Sequence, residues 1–164
     1  MIINIDKRGI GLIQLGKSLS GIDYIKPLGK KLGTQLIDVG DNMEGYKYFY
    51  VPDNVHLENV GVIDKVIAVT EPISNNVIAI YVWLNSVDEK LDNYLRKIFG
   101  TPRLSSSSGV ENVKTNNKIY WPLENGFFVF RTAYYYDAVK EISMYYSIKD
   151  HIPPLVFSNG IDVL

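Results

Sequence analysis

The run Val77-Ile78-Ala79-Ile80-Tyr81-Val82-Trp83-Leu84 contains no charged side chain. Side chains alternate across a strand, so Ile78, Ile80, Val82 and Leu84 form one face and Val77, Ala79, Tyr81 and Trp83 the other. A strand that is apolar on both faces belongs inside a sheet covered on both sides, or in one whose second face a partner completes. Its surroundings set the pairing. Lys65–Thr70 reaches Val77–Leu84 across Ser74-Asn75-Asn76, and Ile119–Leu123 reaches Phe127–Ala133 across Glu124-Asn125-Gly126, where Asn-Gly favours a hairpin. Links this short cannot carry a parallel crossover, so the pairing is antiparallel. Ile142, Met144, Tyr146 and Ile148 alternate with Ser143, Tyr145 and Ser147, which predicts a half-buried last strand. Earlier strands are expected at Gly11–Leu15, Gln35–Val39 and Gly45–Val51.

One helix is clearly written, at Val87–Phe99. Ser86 and Glu89 form a capping box, and Val87, Leu91, Tyr94, Leu95, Ile98 and Phe99 fall on one stripe. Asp88 and Asp92 come early, Arg96 and Lys97 late, as the helix dipole favours. Gly100 stops the helix and Pro102 prevents its resumption. A weaker N-terminal helix is expected, ending at Leu28-Gly29 or Leu32-Gly33. Residues 101–117 have no apolar period and read as a long loop, and the tail after Asp150, with Pro153-Pro154, as extended. The expected fold is α+β, one domain over 1–164, mainly antiparallel sheet with the helix at 87–99 and the weaker N-terminal one. Two helix-plus-sheet halves, about 10–75 and 76–150, echo one another, with Tyr48-Phe49-Tyr50-Val51-Pro52-Asp53-Asn54 in the first and Tyr120-Trp121-Pro122-Leu123-Glu124-Asn125 in the second. In that outline the chain resembles the β-lactamase-inhibitory protein family and the small outer-membrane assembly lipoproteins. The resemblance implies a binding module and carries no residue across. The disulfides of the first family and the lipidated cysteine of the second have no counterpart here.

The stretch GLIQLGKS, Gly11–Ser18, satisfies the phosphate-loop pattern. Its context does not. A phosphate loop needs a buried strand ending at the first glycine, small residues that curl around the anion, and a helix opening at the Lys and Ser. Asp6-Lys7-Arg8-Gly9 precede Gly11, the variable positions are Leu12, Ile13, Gln14 and Leu15, and Gly21 and Pro27 weaken any following helix. The match is read as accidental, with no nucleotide and no cofactor expected.

Other chemistry is sparse. The absence of cysteine removes disulfides, thiol catalysis and thiolate metal sites, and fits a reducing, cytoplasmic setting. No apolar run reaches membrane-spanning length, and a net charge of −1 does not favour phosphate-backbone binding. His151 beside Asp150 reads as a surface histidine rather than an oriented base, His56 lacks converging ligands, and Asp38, Asp41 and Glu44 read as a solvated turn rather than a cation site. No catalytic or metal-binding residue is assigned, and an enzyme is not expected.

Charge and aromatics give the positive reading. Residues 7–31 hold six bases against Asp23, and residues 38–64 hold six acids against Lys47. Asp41, Glu44, Asp53 and Glu58 flank Tyr46, Tyr48 and Tyr50, whose spacing puts all three tyrosines on one strand face. If that face is open, the tyrosines anchor a partner and the acids steer a basic one; if it is closed, the tyrosines are core and only the acidic rim remains. Tyr81 and Trp83 are the second candidate surface, against core packing as the alternative. In general character, small, cysteine-free and tyrosine-rich, the chain resembles bacterial toxin-immunity proteins and other small proteinaceous inhibitors. The resemblance implies a soluble module that blocks another protein, with a small-ligand binder or enzyme as the alternative.

Overall fold

The computed structural model describes residues 1–27, 46–52, 55–85, 88–104, 115–122, 127–134 and 139–146, with backbone alone for 85, 88, 104, 115–120 and the last two segments. In chain order the elements are β1 (Ile2–Ile3), β2 (Gly9–Ile10), β3 (Ile13–Gln14), β4 (Lys26–Pro27), β5 (Lys47–Tyr50), β6 (Val55–Leu57), β7 (Gly61–Thr70), β8 (Val77–Asn85), α1 (Asp88–Phe99), β9 (Arg103–Leu104), β10 (Thr115–Pro122), β11 (Phe127–Tyr134) and β12 (Val139–Tyr146). The fold is α+β.

Ten strands form one sheet in the order β1-β6-β7-β8-β12-β11-β10-β9, with β5 beside the second half of β7 and β4 outside β5. Every pair is antiparallel except β1 with β6. The doubly apolar strand β8 is central, between β7 and β12, where neither of its edges meets water. Register carries faces across the sheet: Ile80 opposes Ala68 on one side and Met144 on the other, and Met144 leads through Val129 to Trp121.

Helix α1 lies on that face. Leu91 and Leu95 join one core cluster with Val66, Ala68, Ile80, Val82, Leu84 and Trp121. The Trp121 indole Nε1–H donates to the Gly100 carbonyl at the helix end, 2.9 Å, and its ring lies 5.9 Å from Phe99. Gly100 has φ +84°, the left-handed helix stop expected of it. The N-terminal segment around hairpin β2–β3 packs into the same cluster with Ile10, Ile13, Leu15 and Leu19. It is tied to β8 by Gly16 N–H to Val77 O and Val77 N–H to Lys17 O, and to α1 by Ile5 N–H to Tyr94 Oη at 2.9 Å.

The N-terminal part departs from the sequence reading. No helix precedes α1 among the described residues: 19–25 are turns and irregular chain, followed by β4, and 28–45 lie outside them. Gly11–Leu15 is not one strand, because the chain reverses at Gly11-Leu12, with Gly11 at φ +57°. The expected loop at 101–117 begins with β9, paired with Ile119 and Tyr120, and ends inside β10. The Gln35–Val39 strand, the Ser86 cap and the tail after Asp150 lie outside the described residues.

Candidate functional site

The second face of the sheet, away from α1, carries Tyr48 with Val69 and Ala79 in one row and Tyr50 with Ile67 and Tyr81 in the next. Lys65 and Trp83 form a third. Over β7 and β8 this face is closed: Ile67, Val69 and Ala79 are inaccessible, and Trp83 is only 4% exposed. Tyr81 and Trp83 stack at 5.9 Å with their rings 16° apart. Tyr48 is buried at 8% exposure, and Tyr46 and Tyr50 are half-buried. Burial, reinforced by the neighbouring Tyr46, pushes the Tyr48 hydroxyl up to about 12, and burial lowers the Lys65 ammonium. Of the expected partner residues, Tyr48, Tyr81 and Trp83 are therefore packed inside the folded chain, and Glu58 is exposed. Asp41, Glu44 and Asp53 lie outside the described residues.

The same face is open where β1, β6 and the start of β7 meet. Ile2 pairs with His56, and His56 with Val62, so the three side chains stand in one row. Ile2 is 68% exposed, Val62 43%, and His56 is exposed as well. Beside the row, the Asn4 Nδ2 donates to Glu58 Oε2 at 3.3 Å, and Asp64 is exposed on β7. The alternate residues Ile3, Val55, Leu57 and Ile63 are buried in the core cluster. These strands thus have one greasy face turned in and a mixed apolar and acidic face turned out. The sequence reading missed Ile2 and Val62. The signal was present in the alternation of Val55, Leu57 and Ile63 with His56, Glu58 and Val62, but two- and three-residue strands are too short for a period to stand out.

The phosphate-loop segment has its backbone committed elsewhere. Gly11 N–H donates to Asn4 O, Leu12 N–H to Tyr24 Oη, Leu15 N–H to Arg8 O, Gly16 N–H to Val77 O and Lys17 N–H to Gln14 O. A short buried strand, β2, does feed Gly11, contrary to the sequence expectation. It turns back into β3 instead of opening onto a helix. Among the described residues no group of three or more His, Asp or Glu is placed to hold a metal ion, and no helix is long and apolar enough to cross a membrane. Comparison with protein-family models, with curated proteins and with solved structures gave no match.

Proposed function

We propose that the protein is a soluble binding module for another protein, of the small inhibitor or immunity type, and that its contact surface is the open sheet end centred on Ile2, His56 and Val62. The supporting observation is that one sheet face is closed over β8 and the second half of β7 and open over β1, β6 and the start of β7, where the exposed aliphatics Ile2 and Val62 stand on either side of His56 in one cross-strand row. Scattered exposed aliphatics are ordinary, whereas a contiguous row with a polar rim is the anatomy of a contact patch. Glu58 and Asp64 place acid at that rim, which favours a basic partner and faster association with it. A cytoplasmic setting belongs to the same reading and rests on the cysteine-free composition.

Capture from native lysate followed by mass spectrometry tests the proposal, with three variants alongside the wild type. Ile73→Lys changes a residue 92% exposed in the turn after β7, at the opposite end of that strand from Val62, and should retain the partner. Val62→Lys should lose it. Glu58→Lys should slow association, by a factor that shrinks as salt rises. Equal retention by all three variants would move the contact away from this surface.

A further inference from the structure

On the opposite face, the turn after β3, strand β4 and the ends of β5 and β7 enclose an open pocket of about 280 Å³. Leu19, Ile25, Pro27 and Phe49 supply apolar walls. Among the described residues the polar lining is Ser18, Ser20, Lys47, Thr70 and Asn75: one cation, three hydroxyls, one amide and no carboxylate. Lys47 and Thr70 are direct cross-strand partners, so both side chains stand on the pocket's side of the sheet. The Lys47 ammonium donates one proton to Asn75 Oδ1 at 2.9 Å, leaving two of its three donors for a ligand. Ser18 Oγ accepts from Ser20 N–H at 3.1 Å, which leaves its own hydroxyl proton to give. Thr70 is 2% exposed, and its Oγ1 has no hydrogen-bond partner. A buried hydroxyl without a partner is a standing cost in a folded protein and calls for an explanation.

We propose that this pocket binds a small organic carboxylate, with its apolar body against Leu19, Ile25, Pro27 and Phe49 and its carboxylate toward Lys47 and Ser18. An oxygen seated on the floor completes the hydroxyl of Thr70. The volume equals the share of about nine water molecules, which fits a ligand of roughly ten non-hydrogen atoms and is too small for a nucleoside triphosphate. Charge selects the anion, because the described lining residues present a cation and no carboxylate.

Titration of the isolated chain with benzoate, benzyl alcohol and inorganic phosphate, followed by calorimetry and amide chemical shifts, tests this without any protein partner, so its outcome is separable from that of the proposed function. Benzoate should bind, with the neutral alcohol and the phosphate at least about tenfold weaker. Lys47→Gln, at an exposed position, should weaken benzoate about tenfold and leave the alcohol unchanged. Thr70→Val should also weaken benzoate, yet raise the melting temperature of the free protein, since it removes the unpartnered hydroxyl at nearly constant shape. Absence of benzoate binding at millimolar concentration, equal binding of the alcohol, or benzoate affinity unmoved by both substitutions would overturn the assignment.

Discussion

Tyr48 ties stability to pH. Its hydroxyl titrates at about 12 in the folded chain and near 10 when unfolded, so the folded state holds the proton longer. The contribution is complete below pH 10 and is lost as pH rises from 10 toward 12, by about 1.4 kcal/mol per pH unit. Tyr94 acts in the same direction, raised chiefly by burial. Lys65, lowered by burial, acts in the opposite direction just below its ordinary 10.5. Melting temperatures followed by circular dichroism should fall above pH 10, and Tyr48→Phe should flatten that fall. An identical alkaline slope in the variant would show that Tyr48 is not the responsible group. Alternation in the sequence was enough to assign Tyr46, Tyr48 and Tyr50 to one face; whether that face is open or closed is a matter of tertiary packing, which alternation does not encode. The glycines of the N-terminal hairpin give a second test. A Cβ on Gly9 would collide with the Ile13 carbonyl oxygen, so Gly9→Ala should cost about 2 kcal/mol or more. Lys17→Ala should leave the melting temperature nearly unchanged, and calorimetry with ATP or GTP plus magnesium should show no binding. Micromolar nucleotide binding abolished by Lys17→Ala would reverse this reading of the hairpin.

At the scale of elements, α1 was the most legible part of the fold because its signals are local: capping residues, a 3.6-residue stripe and a glycine stop within fifteen positions or so. Leu91 and Leu95 are inaccessible at its centre, while Tyr94, Ile98 and Phe99 are half-buried at its margins. Leu95→Ala should therefore destabilise the protein by about 2–5 kcal/mol in denaturant titration. A value near zero would mean that the stripe faces water. Strand β8 was legible for a related reason, since an unbroken run of eight β-branched, aliphatic and aromatic residues outvotes local noise. The two-residue strands β1, β2, β3, β4 and β9 were not, because their extended conformation is imposed by partners far away in the chain. The expected N-terminal helix is not seen among the described residues, where Gly21, at φ +82°, breaks any helical path before β4; its expected end at 28–33 lies outside them.

The whole molecule is organised around β7 and β8, which share the longest pairing in the sheet, with both faces buried along most of β8 and the second half of β7. Native-state hydrogen exchange should find the slowest amides there, with β1 and β9 exchanging first because two-residue edge strands can detach without opening the core. Uniform protection across the sheet would contradict that hierarchy. Topology also imposes a schedule. β8 is flanked by β7, which precedes it closely, and by β12, which about fifty residues of chain separate from it. A ribosome adding about 5–20 residues per second needs roughly three to ten seconds to cover that gap. During this interval the most apolar strand of the protein is a raw sheet edge, with a row of unpaired backbone donors and acceptors. Each nascent chain therefore passes through a period of obligatory stickiness that the finished protein no longer shows, and a translation arrest before Val139 makes it permanent. Stalled chains should accumulate on holdase chaperones or in the insoluble fraction, and a synonymous change that slows decoding between α1 and β12 should lower the soluble yield without altering a single residue.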